Sequence, residues 1–340
     1  MTLARAREVA QTFIPSRWII CFALLVCLIL LAGCGRRSLV KIAVIPRTTG
    51  AMLWEPEHGG AQAAALSAGA RLYWNAPTRE DDFEGQIALV QSVSAQHYDG
   101  LLLSPDQSRA LITPVRRAMQ RGIPVVVIGS PLPMAPNEEL SYVLNDEEAG
   151  AQIAADRVIE MQHCAGAVAI LGINRDIAGI VTRAQAVESD LVRSCPSLRL
   201  VKRDGSFNTP HEQQVAEETL RSNPDLTVVI ALTGTSTSGA LSAAKNLHLQ
   251  NRIRVIGFDP DSMGFANSSL DALVIEDTRA MGAEGVRRIL DRKNRGNWPA
   301  VTRVKPVLAT KENAESAQIR QLTSMSWSPE PQTPTWRLIP

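Results

Sequence analysis

The chain has 340 residues, too many for one compact hydrophobic core and enough for two. Hydrophobic residues make up 45% and charged residues 20%, a globular balance that excludes a disordered or fibrous chain. The 35 basic and 34 acidic residues are spread without like-charge blocks, which excludes the electrostatic footprint of a nucleic-acid binder.

In chain order, the first predicted element is an export segment over 1–33. Arg5, Arg7 and Arg17 introduce an apolar run from Trp18 to Ala32 that is short for a membrane span. The ending Leu31-Ala32-Gly33-Cys34 resembles the bacterial lipobox. That resemblance implies an acylated Cys34 and a chain tethered to a membrane surface without crossing it. The competing reading is an uncleaved signal anchor that contains a cysteine by chance. Residues 34–39 read as a linker.

From Val40 onward, short apolar runs alternate with longer amphipathic segments. Strands are expected at Val40 to Pro46, Arg71 to Asn75, Gly100 to Ser104, Ile123 to Ile128 and Ser141 to Leu144, separated by helical patterns. The second half repeats the plan, with strands at Ala167 to Leu171, Leu198 to Arg203, Leu226 to Leu232, Ile253 to Phe258 and Ala272 to Glu276. A helix from Ala280 to Arg292 then leads to one terminal strand, Arg303 to Leu308. Val/Ile/Leu runs without alternation mean strands covered on both faces, hence parallel sheets flanked by helices. Two such arrays predict an α/β protein of two doubly wound lobes. Beyond residue 312 the chain turns polar and proline-rich, so 313–340 reads as an irregular tail.

Two cysteines remain outside the export segment, Cys164 and Cys195. Each ends a helical stretch and precedes a strand, at matching places in successive units. Parallel neighbouring strands would bring them together, so a disulfide is expected, with two buried free thiols as the alternative.

Ligands of open parallel sheets lie beyond the carboxyl ends of the strands, so residues there are the candidates. They are Arg47 to Trp54, then Ser104 and Asp106, Arg183, Phe207, Thr233 with Thr235 to Ser238, Asp259, and Glu276 with Asp277. Carboxylates, a guanidinium, hydroxyls and aromatic faces suit a polyol. Each also has a structural reading: Asp259 before Pro260 and Thr235 to Ser238 fit helix starts, and Trp54 fits core packing. The run Gly234 to Ser238 is a near miss to a nucleophile elbow, but the closing glycine is missing and His248 is the one histidine downstream of Ser236. Neither phosphate loops nor metal-ligand spacings occur, so no cofactor, no metal and no catalysis are expected.

In this order, several segments carry a resemblance: KIAVIP with Leu53-Trp54, DDFEGQIALVQS, DGLLLSPDQSRAL, RGIPVVVIGS, NPDLTVVIALTG, RVIGFDP and LDALVIEDTRAMGAEGV. From about Lys41 to Asn313 the chain resembles the type 1 periplasmic binding proteins of the ribose/galactose class, whose fold also serves lactose-repressor-type regulators. The resemblance implies two lobes joined by three hinge crossovers, closure on a ligand, and delivery to an ABC-type importer. The first lobe would comprise 40–144 plus 277–300, the second 145–276 plus 301–312. It further implies stacking roles for Trp54 and Phe207, polar contacts from Ser104, a ligand-binding Arg183, a carboxylate at Asp259, and Glu276 where glutamine is usual. The chain departs at Gly129-Ser130, Ala51 and Thr233, where the family commonly has larger polar groups. The expected protein is thus a monomeric, lipid-anchored solute binder on the periplasmic or exterior face, with a monosaccharide or derivative first among ligands and a membrane permease as partner. A receptor reporting to a sensor kinase or chemotaxis protein has the same cleft. A serine hydrolase using Ser236 is the remote alternative.

Overall fold

The computed structural model describes residues 39–259, 265 and 269–324. The expectations for the export segment, for Cys34 and for Pro260 lie outside the described residues. The described residues from Val40 onward group as one unit.

The first half runs β1 (Lys41–Ile45), α1 (Glu55–Ser67), β2 (Arg71–Trp74), α2 (Phe83–Ala95), β3 (Gly100–Leu103), α3 (Ile112–Gln120), β4 (Val125–Gly129) and β5 (Leu140–Asn145). The second half runs α4 (Glu147–Gln162), β6 (Ala167–Ile173), α5 (Ala178–Ser194), β7 (Arg199–Asp204), α6 (Thr209–Ser222), β8 (Leu226–Ala231), α7 (Gly234–Asn246), β9 (Arg254–Phe258) and β10 (Leu270–Ile275). Then come α8 (Thr278–Lys293), β11 (Val301–Val304), β12 (Val307–Thr310) and α9 (Ala317–Thr323).

The strands form two six-stranded sheets, ordered β11-β5-β4-β3-β1-β2 and β12-β10-β9-β8-β6-β7. Every pairing is parallel except β10 with β12. Helices cover both faces. On the first sheet, Val90, Val93, Val115 and Ala118 of α2 and α3 fill one core, while Ala61, Ala65, Val286 and Ile289 of α1 and α8 fill the other. The second sheet is covered by α4 and α5 on one side and by α6, α7 and α9 on the other. Strand order reverses between β1 and β3 in one sheet and between β6 and β8 in the other, which marks where a crevice opens.

The chain passes between the sheets three times, from β5 into α4, from β10 into α8, and from β11 into β12. The first two crossovers share a device. Asp146 Oδ1 accepts from the Ala149 amide at 3.1 Å, and Asp277 Oδ1 from the Ala280 amide at 2.8 Å, so an aspartate caps the helix that follows each. The Asp146 amide donates to Val304 O at 2.9 Å, tying the first crossover to the third.

Three expectations are corrected here. Arg303 to Leu308 is not one strand: Pro306 has no amide to give a ladder, and the run splits into β11 and β12. β11 pairs with β5, so 301–304 belong to the first sheet although the sequence put 301–312 in the second lobe. Within the tail read as irregular, Ala317–Thr323 is a helix capped by Ser316, with Ile319 and Leu322 buried in the second lobe's core. Seven residues are too few to display a period.

Cys164 and Cys195 are joined, their Cα atoms 4.9 Å apart. The bond links the end of α4 to the end of α5, just ahead of β6 and β7.

Candidate functional site

The crevice is built from strand ends. Where β1 ends, Arg47 enters and is 7% exposed. Its guanidinium carbon lies 4.7 Å from the ring centre of Trp54 and 5.6 Å from that of Phe207 on the opposite lobe. Its Nη1 is 3.9 Å from Glu80 Oε2, while Glu80 Oε1 accepts from the indole of Trp54 at 2.8 Å. Trp54 is buried and held edge and face by its own lobe. The aromatic faces expected to stack on a ligand ring therefore stack on an arginine.

Behind them, Ser104 Oγ donates to Glu57 Oε2 at 3.1 Å inside the first lobe. Burial pushes the Glu57 carboxyl up to about 8, against the pull of that hydrogen bond and of Arg47. Asp106, held by its amide donating to Gln86 Oε1 at 2.9 Å, is buried and lines a neighbouring cavity of about 360 Å³. Its carboxyl is raised to about 8 by burial and by Glu80, Asp81 and Asp82, with Arg47 opposing.

The second lobe contributes a charge cluster. Arg183, in the second turn of α5, is 3% exposed and has every nitrogen engaged. Nε donates to Glu147 Oε2 at 2.6 Å, Nη1 to Leu232 O at 2.7 Å, and Nη2 to Glu276 Oε1. Asp259 Oδ2 stands 3.9 Å from Nη1, and the Phe258 ring lies 4.4 Å from the guanidinium carbon. Asp259 holds a left-handed backbone, φ 67°, a conformation aspartate tolerates better than most residues. Burial raises the Glu147 carboxyl to about 7, with Arg183 opposing and Glu276 reinforcing the rise.

The lobes are closed upon one another. The Ser108 amide, after β3, donates to Asp176 O at 3.1 Å, and the Ala178 amide donates to Ser108 Oγ at 3.3 Å. Between them lies a cavity of about 460 Å³. Of the residues expected from the sequence, Arg183, Phe207, Thr233, Thr235 and Asp259 line it together with most of the run Arg47 to Leu53. Glu276 stands behind Arg183 as its ion-pair partner. Trp54, Ser104 and Asp106 do not line this cavity: the first supports Arg47, the second faces Glu57, and the third opens on the adjacent space. Thr233 also caps α7, its hydroxyl accepting from the Ser236 amide at 3.1 Å. Ser236 completes the capping box, buried and donating to Thr233 O at 3.0 Å, so its hydroxyl is committed to structure. Among the described residues, no group of histidine, cysteine, aspartate and glutamate could hold a metal ion.

Sequence reasoning offered Arg47 only as part of the rim run Arg47 to Trp54, without a role, read Ser130 only as a departure from the family pattern, and missed Glu147 and Asn145; all four line the cavity. A signal for the hinge pair existed. Asn145-Asp146-Glu147 follows β5 just as Glu276-Asp277 follows β10, and only the second crossover was read as part of the rim.

Residues 42–291 match the family model described as "Periplasmic binding protein domain". The chain belongs to the periplasmic binding protein family. Among its relatives is the D-allose-binding periplasmic protein of Escherichia coli, 24% identical over 267 residues that cover 75% of this chain and 85% of the relative. Another is the D-apiose import binding protein of Paraburkholderia graminis, 28% identical over 204 residues, 59% of this chain and 62% of that one. A solved carbohydrate transporter solute-binding protein from Agrobacterium radiobacter, in complex with D-arabinose, superposes with a TM-score of 0.78 at 22% identity, covering 85% of this chain and all of its own (100%). As a periplasmic binding protein the chain is a solute-binding protein, and its two sheets, crossovers and shared crevice are the architecture of that family. The periplasmic binding protein domain spans both lobes, so residues lining the crevice from either side belong to one matched domain.

Proposed function

We propose that this protein captures a monosaccharide or a close derivative between its lobes and presents it to an ABC-type importer, without altering it chemically. The observation that carries the reading is the cavity of about 460 Å³, to which both lobes contribute polar side chains. Ligand pockets run from about 300 to 1,000 Å³, and the present one falls at the lower end, where small ligands sit. Glu147 Oε1 and Asn145 Oδ1 are buried, line the cavity and accept no hydrogen bond from the described residues, so they are acceptors awaiting donors. The sugars named for the relatives, D-allose and D-apiose, supply donors of that kind. We further propose that the chain is exported and anchored through an acylated Cys34, which the Leu31-Ala32-Gly33-Cys34 sequence supports.

The binding claim is tested on full-length protein in detergent by thermal-shift screening against monosaccharides, sugar acids and nucleosides, followed by calorimetry. A sugar that raises the melting temperature with the logarithm of its concentration is the expected result. Absence of a shift from every monosaccharide overturns the reading. Metabolic labelling with palmitate tests the anchor: label should enter the wild type and vanish in Cys34→Ser.

A further inference from the structure

The crevice continues beyond the cavity that Arg183 lines. A second cavity of about 360 Å³ adjoins it, and Glu80, Asp81 and Phe207 line both, so the two chambers meet at those side chains. The inner chamber reaches Asn145 and Glu147 at the first crossover. The outer one is lined from the loops after β2 and β3 in the first lobe and after β6 and β7 in the second. β2 and β7 are the edge strands opposite those that carry the crossovers, so the outer chamber lies on the side of the crevice away from the hinge. The contacts of Ser108 with Asp176 O and the Ala178 amide join two of the loops that line it, so this chamber forms as the lobes close.

Its lining is that of a ligand site. Asp106 is 4% exposed, and its Oδ2 is buried without a hydrogen-bond partner among the described residues. Burial holds this carboxyl up to about 8, so near neutral pH it is largely protonated and suits a partner that both donates and accepts. A hydroxyl does both; an ammonium group only donates. The neighbouring Asp81 and Asp204 are engaged by Arg79 and Arg175, and among the described residues no acidic group could hold a metal ion. Phe83, exposed although aromatic, and Phe207 bring ring surfaces to the chamber from opposite lobes. Apolar ring surface beside a polar group that lacks a partner is what a polyhydroxylated ring calls for.

We propose that the outer chamber is a second sugar subsite, so that the solute is a glycoside of two rings, one beside Asn145 and Glu147 and the other between Phe83 and Phe207 with a hydroxyl on Asp106. This rests on the sugar-capture reading and specifies the derivative captured. Each chamber alone falls within the range of about 300 to 1,000 Å³ typical of ligand pockets, so a single ring fills one and leaves the other without a ligand.

The test uses full-length protein in detergent and matched probes: D-glucose, D-galactose and D-xylose, the methyl glycoside of each, and the disaccharides maltose, cellobiose, lactose, melibiose and xylobiose. Calorimetry should show at least one disaccharide binding about tenfold or more tighter than its component monosaccharides and their methyl glycosides. Asp106→Ala removes the polar partner, and Asn174→Trp fills the outer chamber from a half-buried loop position. Each should bring the ratio of disaccharide to monosaccharide affinity close to one. Should Asp106→Ala fail to fold, Asn174→Trp and the methyl glycosides still decide. Disaccharides that bind no better than monosaccharides, or a ratio that survives the variants, would overturn the second subsite while leaving sugar capture intact. Silence from every probe would overturn both.

Discussion

Arg47 of the first lobe and Phe207 of the second meet across the mouth of the crevice, guanidinium carbon to ring centre 5.6 Å. Trp54 lies against the same guanidinium at 4.7 Å, so one cation is shared by aromatic rings on opposite lobes. In the closed protein Arg47 therefore serves as a latch as well as a wall of the cavity. Closure of a two-lobe protein is a shift between conformers that differ by little, so a contact made in one alone sets their ratio.

Arg47→Ala should accordingly favour the open form. A cation–π contact between the buried Arg47 and the half-buried Phe207 contributes about 1 kcal/mol, which predicts about fivefold weaker binding of a sugar identified by screening. Small-angle scattering should show the ligand-free variant with the larger radius of gyration. Unchanged affinity together with an unchanged radius would show that the latch contributes nothing.

Arg183 was expected from the sequence to serve the ligand first; its contacts show that it serves the fold first. Replacing it with Met removes the guanidinium with which Glu147 and Glu276 pair and which Asp259 faces at 3.9 Å. Breaking a buried ion pair from one side costs about 3 to 5 kcal/mol. The loss should be larger at about pH 8 than at about pH 5, because the Glu147 carboxyl, already raised to about 7 by burial, takes up a proton at the lower pH and no longer needs the guanidinium. Urea unfolding of Arg183→Met at both pH values checks this, and an equal deficit at the two would contradict it.

The layering of this protein was legible because its strands are buried on both faces: Gly100–Leu103 and Val125–Gly129 are apolar throughout, and short runs of that kind recurring between longer amphipathic segments are the pattern of parallel central strands. The site was legible in part. Arg183, Asp259 and Glu276 sit at strand ends or helix starts, places the topology marks in advance. What they bond to was not, because Arg183 pairs with Glu147 across 36 residues and with Glu276 across 93, and no local pattern specifies partners at that range. The same holds for Arg288. Its Nη1 donates to Ser141 Oγ at 2.6 Å and to Pro299 O at 3.1 Å, 1% exposed, and so helps fix β11 beside β5. In the sequence it is one of two adjacent arginines on a helix, with no sign of which turns inward.

The bond between Cys164 and Cys195 spans 31 residues of sequence. Restricting the unfolded chain over a loop of that length stabilises by about 3 to 4 kcal/mol in the loop-entropy account. Cys164→Ser combined with Cys195→Ser should lower the unfolding free energy by about that amount, with a lower urea midpoint and a steeper slope as the unfolded chain loses its cross-link, and reductant should move the wild type toward the double variant. A reductant-insensitive midpoint would mean the bond contributes no stability.

The buried carboxyl of Glu57 gives the protein a pH dependence whose sign can be worked out. Its pKa rises from the ordinary 4.5 to about 8, first through burial, with the Ser104 hydroxyl and Arg47 opposing. Between those values the folded chain holds a proton there that the unfolded chain has lost, so raising the pH favours unfolding. The stability associated with the protonated group is full below about 4.5 and is lost as the pH climbs toward about 8. Asp106 and Glu147 are raised as well and push in the same direction, so the wild-type slope alone does not isolate Glu57. Glu57→Gln does, since an amide of the same shape can still accept from Ser104 Oγ and carries no proton to lose. Urea unfolding followed from about pH 5 to about pH 8 should show stability falling more steeply in the wild type than in Glu57→Gln. Parallel curves would mean that Glu57 ionises in the folded protein as it does in water, and that its seat against Ser104 is wetter than the packing around α1 indicates.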